Sequence, residues 1–278
     1  MVDVYTDRKS NEWDRHKRTL SEAADLVEAG DDEAGMLAFD KAIQSMPVVV
    51  LSDAYYERAC VLASRKQYAN AIADFDKAIQ IRPEKGFSQQ FLFDKQVALS
   101  NVFYDRGLAW EKMNEFSKAI ADFEETIRLD PSFDTAFLGR GRIKARTGDY
   151  ELALADFNKV NQVYQYRSDH CVDRAWFFST CPNEMYRNGA VALKDMINVC
   201  NSLGYTGVHR LETLAAAFAE VGDFEKAVKW QTEAVKLATQ DDQVDAQSRL
   251  VLYQTGEPYR DLPKIKEPGA VQQTEVGG

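Results

Sequence analysis

Apolar and small residues recur along this chain in paired helical stripes, not in the alternation of a strand. Tyr55-x-x-Arg58-Ala59 is followed by Ala71-x-x-Asp74-Phe75-x-x-Ala78, Phe103-x-x-Arg106-Gly107 by Ala119-x-x-Asp122-Phe123, and Phe137-x-x-Arg140-Gly141 by Ala153-x-x-Asp156-Phe157, with a stride of 34 residues between the last two sets and of 48 across an interruption between the first two. Spacings of three and four put each set on one helix face, and a stride of 34 marks a helix-pair repeat. Such units fall at about 16–47, 52–83, 100–131, 134–165, 168–202 and 208–239, the first of them the weakest. Pro83 and Pro131 stand where second helices must stop, because proline lacks an N–H and holds its predecessor out of the helical region. A further helix over 241–254, with Val244, Leu250, Val251 and Tyr253, suits the cap that an array of repeats needs. The expectation is an all-α solenoid of about six helix pairs with a capping helix, one domain over 16–254. It would be flanked by a flexible N-terminus at 1–15 and a disordered tail at 261–278, which holds Pro263, Pro268 and a terminal double glycine.

An internal regularity predicts how the two helices of a unit touch. Arg58 precedes Asp74, Arg106 precedes Asp122 and Arg140 precedes Asp156 by 16 residues each, and Arg174 precedes Asp195 by the same interval plus five. The five extra residues fall within Thr180 to Asn188, in the turn, where length costs little. Where the Arg is missing the Asp is missing too: Glu22 faces Ala38 in the first unit and Leu214 faces Trp230 in the sixth. A joint swap of this kind predicts an intra-unit ion pair. Ala59, Gly107, Gly141, Ala175 and Ala215 mark close helix approach, where larger side chains would overpack. Tyr68, Phe116, Tyr150 and Phe224 should fasten second helices to first ones, and Phe75, Phe123 and Phe157 should face the neighbouring unit. Between units two and three, residues 84–99 interrupt the period with Phe87, Phe91, Leu92, Phe93 and Val97, which read as a lengthened first helix and a patch over the seam, or as a ridge for a partner or a second copy.

Composition narrows the function. A formal charge of -10 removes the general attraction for phosphate backbones and anionic membranes, so nucleic acid is not expected as a partner. No apolar run of 18 residues occurs, and the first eleven residues carry no signal-like stretch, so a soluble, cytoplasmic protein is expected unless a leader has been trimmed away. The four cysteines at 60, 171, 181 and 200 form no CxxC motif, and Cys60 reads as a small buried hydrophobe. With only His16, His170 and His209, a histidine triad or multi-histidine metal site has few starting materials, and no phosphate-binding glycine loop is present. No catalysis, cofactor or metal is expected; a convergent carboxylate pair is the feature that would reopen an enzymatic reading.

The 34-residue period, the small residue at the eighth place, alanines at the twentieth and twenty-seventh, and the closing proline resemble the tetratricopeptide repeat. The phrases Leu211 to Gln231, Ala175 to Pro182, and Arg249 to Tyr253 with Pro258-Tyr259-Arg260 look like the closing section of tetratricopeptide proteins of planctomycete bacteria. The resemblance implies a right-handed superhelix whose concave face, lined by first helices, holds peptides or proteins. The family's Lys and Asn positions for gripping a C-terminal carboxylate correspond to Leu20, Ala24, Glu57, Asn101 and Asp105, so that mode is disfavoured. The implied groove residues are Tyr56, Asn101, Tyr104, Leu108, Leu138, Arg142, Arg146, Trp176 and His209, an aromatic and basic centre bordered by carboxylates. Adaptor or scaffold binding of a protein or peptide is the leading expectation, with a self-associating structural module as its alternative.

Overall fold

The computed structural model describes residues 15, 18–46, 48–81, 99–164 and 170–263. The expectations for 1–14, 84–98 and 264–278 lie outside these residues. The described residues are all-α, as expected. Residues 18–28 form α1, followed by α2 (Asp32–Ser45), α3 (Val48–Ser64), α4 (Tyr68–Ile81), α5 (Leu99–Lys112), α6 (Phe116–Leu129) and α7 (Asp134–Thr147). Then come α8 (Tyr150–Tyr164), α9 (His170–Thr180), α10 (Gly189–Leu203), α11 (Val208–Glu220), α12 (Phe224–Leu237) and the terminal helix α13 (Gln243–Gln254). The chain forms two compact units, one ending at Ala136 and one beginning at Phe137.

Each unit is a stack of helix pairs joined by tight turns. Gly30, Lys66, Asn114, Gly148 and Gly222 all take positive φ there, the left-handed residue that ends a helix and satisfies its last carbonyls. In the first unit the α3/α4 pair buries Ala59, Ala71, Phe75 and Ala78 completely or nearly so. The α5/α6 pair is as close: a Cβ on Gly107 would lie 2.9 Å from Phe123, and in the second unit one on Gly141 would lie 2.9 Å from Phe157. Tyr150 does more than fasten its own pair, since its ring lies 6.3 Å from Phe177 and 5.8 Å from Tyr186 in the following pair.

The 16-residue interval resolves into a two-pronged fork. Arg58 Nε and Nη2 donate to Asp74 at 2.6 and 2.8 Å, Arg106 to Asp122 at 2.8 and 2.6 Å, and Arg140 to Asp156 at 2.9 and 2.7 Å. Arg174 reaches Asp195 through Nη2 alone, leaving its Nε and Asp195 Oδ1 without a hydrogen-bond partner. Arg58 and Arg106 each extend a third tine: Arg58 Nη1 donates to Asp40, and Arg106 Nη1 to Asp76 at 2.5 Å, each carboxylate belonging to the preceding pair, and Arg140 also has interactions beyond its fork. Rings complete the cradle, with the guanidinium 5.5 Å from the centre of Tyr55, 5.2 Å from Phe103, 5.6 Å from Phe137 and, for Arg174, 5.5 Å from Phe178. Sequence reasoning found the paired Asp and missed the bridging one, whose signal is an acid directly after the core phenylalanine, as in Phe39-Asp40 and Phe75-Asp76.

The extra residues between α9 and α10 fold into a closed loop. They contain a 3₁₀ turn at Glu184–Tyr186, Asn188 N–H donates to Phe178 O at 2.9 Å, and Arg187 Nη1 donates to Cys181 O and Pro182 O at 3.1 and 3.0 Å. In the α11/α12 pair, which lacks a fork, buried Leu214 and the Trp230 ring pack in one apolar cluster with Phe218 and Tyr253. Gln231, fully buried, donates to Ala246 O at 2.9 Å and so ties α13 onto the last pair.

Arg106→Leu is expected to cost about 3 kcal/mol, because it strands the Asp122 carboxylate, whose side chain is 7% exposed, between two helices. Arg106→Leu/Asp122→Leu should recover much of that loss in urea unfolding; an equal loss in both variants would show that the fork is not what the single change breaks.

Candidate binding surface

On α5 the packing positions are Ser100, Val102, Gly107 and Ala109, all buried. The opposite stripe, Asn101, Tyr104, Asp105 and Leu108 at i, i+3, i+4 and i+7, stays partly exposed. Asp53, Tyr56 and Cys60 form the corresponding partly exposed stripe of α3. A hydrogen bond joins the two stripes, the Tyr56 hydroxyl donating to Asp105 Oδ2 at 2.6 Å. The aromatic bodies are anchored: Tyr56 lies 6.0 Å from Phe75, and Tyr104 lies 5.8 Å from Phe123 and 5.0 Å from Phe133. Each tyrosine thus rests its ring on the core and keeps an edge at the surface.

Burial governs protonation here. It raises the Asp105 carboxyl above its ordinary value, a rise that the hydrogen bond from Tyr56 only partly opposes. Burial, followed by the nearby Cys60 and Asp105, drives the Tyr56 phenol upward, and burial pushes the Cys60 thiol up to about 12. Cys60 therefore stays protonated at neutral pH, and it is half-buried, not the fully buried hydrophobe that its position implied.

In the second unit the groove expectations separate. Leu138 is removed from the set: it is 4% exposed and packs with Phe157, Val160 and Phe177. It occupies the repeat position of Tyr104, but it has no polar tip to hold it at the surface, so the whole side chain sinks into the core. Arg142 donates to Asp173 at 3.1 Å, and His209 Nε2 lies 3.7 Å from the same carboxylate. Burial would raise Asp173, but the neighbouring His209 imidazole and the Arg142 guanidinium outweigh it and hold the carboxyl below its usual value. Arg146 is partly exposed and interacts with neighbours. Trp176 is the centre of a cluster: its ring lies 6.0 Å from His209 and 5.8 Å from Tyr259, the Arg249 guanidinium stands 5.7 Å from it, and its Nε1 donates to Asp261 at 3.0 Å. Tyr259 and Asp261 come from the stretch after α13, and Asp261, the first residue of the expected tail, is fixed by this bond and by its N–H to Thr180 O at 2.9 Å. Among the described residues no three His, Cys, Asp or Glu side chains converge as metal ligands.

Successive helix pairs packed through small residues define a helix-pair repeat protein. Residues 52–85 and 100–133 match the family described as tetratricopeptide repeat. The fold is similar to that of PilF from Pseudomonas aeruginosa, at 14% identity over 84% of this chain and 96% of that one, with a TM-score of 0.59. It is likewise similar to yeast Tom70, at 17% identity over 85% of this chain and 46% of that one (TM-score 0.57). The apo form of the quorum sensor NprR from B. thuringiensis shares it at 15% identity over 91% of this chain and 74% of that one (TM-score 0.55). No curated protein matches the sequence.

Asp105→Asn is expected to stabilise the chain at neutral pH. A carboxyl whose folded pKa lies above its unfolded one binds its proton more readily in the folded state, so its contribution falls as pH rises through the folded pKa. Asparagine keeps an acceptor for Tyr56 and removes the desolvated charge. The gain in thermal midpoint should shrink as pH falls through the raised carboxyl pKa; a gain independent of pH would contradict the assignment.

Proposed function

We propose that this chain is a non-catalytic adaptor that holds a protein segment against the inner face of its first helices. The observation that carries the reading is the Tyr56 to Asp105 bond, which fuses the stripes of α3 and α5 into one surface of aromatic edges, an amide, a carboxylate and an aliphatic side chain. The tyrosine rings pack by one side on the core while the buried small residues of the same helices bring the helices together, which leaves part of each stripe at the surface. Anchored tyrosines with exposed edges suit recognition, because they offer large contact area at little entropic cost. The acidic border of Asp53, Glu57 and Asp105 favours a segment that brings amide or cationic donors. The resemblance of the closing repeats to planctomycete proteins supports a bacterial source. That no described helix is long and apolar enough to cross a membrane fits an adaptor working in solution.

Affinity capture from the source cells with wild-type protein, followed by calorimetry on the captured partner, tests this. Tyr104→Ala should weaken binding by roughly 1–3 kcal/mol while helicity is retained. Unchanged affinity would move recognition off this face.

A further inference from the structure

In the second unit the stretch after α13 lies against α9 and α11. Beyond α13 the backbone turns at Gly256, with φ of +79°, and runs without helix or strand to Pro263. Pro258 and Pro263 bias Glu257 and Leu262, the residues before them, away from helical conformations, which lowers the entropy lost on docking. Tyr259 rests beside Trp176 with the Arg249 guanidinium 5.5 Å from its ring. Arg260 Nη1 donates to Ser179 O at 3.1 Å and lies 2.7 Å from Glu220 Oε2, an ion-pair contact without the alignment of a hydrogen bond. Asp261 accepts from Trp176 and donates its N–H to Thr180 O. Leu262, by contrast, is 66% exposed. Side chains and carbonyls of α9 and α11 thus read ring, cation, anion and backbone in turn, as a recognition groove reads an extended segment.

The fit is incomplete. Arg249 Nε and Tyr253 Oη are buried and have no hydrogen-bond partner among the described residues, and both belong to residues around this segment. A permanent strap would be expected to satisfy them; an occupant with additional donors and acceptors would do better.

We propose that Pro258–Asp261 is a resident, exchangeable ligand of this face, and that its competitor is an extended segment of a partner protein carrying an aromatic residue followed by Arg and Asp. This rests on the reading of the first-helix face as a peptide surface and adds a gate to it. A tethered segment acts at an effective concentration on the order of millimolar, so the external segment binds weakly until the strap lets go.

The test uses full-length chains and a fluorescent peptide of residues Gly256 to Pro263. Wild-type protein should show no saturation below about 1 mM, whereas Tyr259→Ala/Asp261→Ala should bind the peptide at least about tenfold more tightly. Adding Trp176→Ala to that variant should abolish the gain, and the backbone amide of residue 261 should exchange faster in the variant. Because Tyr259 also touches the core, Arg260→Ala/Asp261→Ala provides a second released form. Released, helical variants that fail to bind the peptide would overturn the proposal, as would a residue 261 amide that stays protected in both. Dimerisation of the variants in place of peptide binding would overturn the partner as occupant in favour of a second copy. The Tyr104 measurement lies in the other unit, so loss of this inference leaves that reading standing and loss of that reading is seen separately.

Discussion

A guanidinium held between two helices is the constraint around which the repeats are organised. An unpaired charge in that position would be intolerable, so Arg58, Arg106 and Arg140 each require a carboxylate on the facing helix at one height and one rotation. Apolar packing alone allows a pair of helices to slide by a turn at modest cost; a bidentate fork does not. The glycines at 107 and 141 lie where Phe123 and Phe157 close over the fork, which couples the polar register to the apolar one. Asp40 and Asp76 extend it from one pair to the next within the first unit.

That arrangement leaves a stripe of α3 and of α5 partly exposed. The positions next to the fork are spent on packing, and the opposite stripe is free to carry recognition chemistry. In the first unit it carries tyrosines joined to a desolvated carboxylate. In the second it carries Trp176, Glu212 and Glu220, and each of these is engaged by the segment between Arg249 and Asp261. Burying that face under the chain's own extended segment shields an aromatic and charged surface that would otherwise be open to unselected partners.

Much of this was legible in the sequence, for a physical reason. A 16-residue interval between opposite charges, kept through an insertion and lost from both sides at once, is a signature of contact that composition cannot mimic. The bridging acids were less visible because their partner lies in another repeat, 18 residues away for Asp40 and 30 for Asp76, so no single interval repeats. Leu138 misled because position within the repeat fixes a direction but not a depth: a tyrosine there stays at the surface by its hydroxyl, and a leucine sinks. The docked segment was hidden because glycine and two prolines read as the end of structure, whereas here they flank residues that dock. The sequence pattern carried no clue to what that segment would touch.

Hydrogen exchange measured by mass spectrometry on the full chain, with and without its captured partner, probes the central claim that recognition lies on the first helices. The account predicts that partner binding slows exchange in α3 and α5 and leaves α4 and α6 unchanged. Slowing confined to α4 and α6 would place the partner on the opposite face and contradict it.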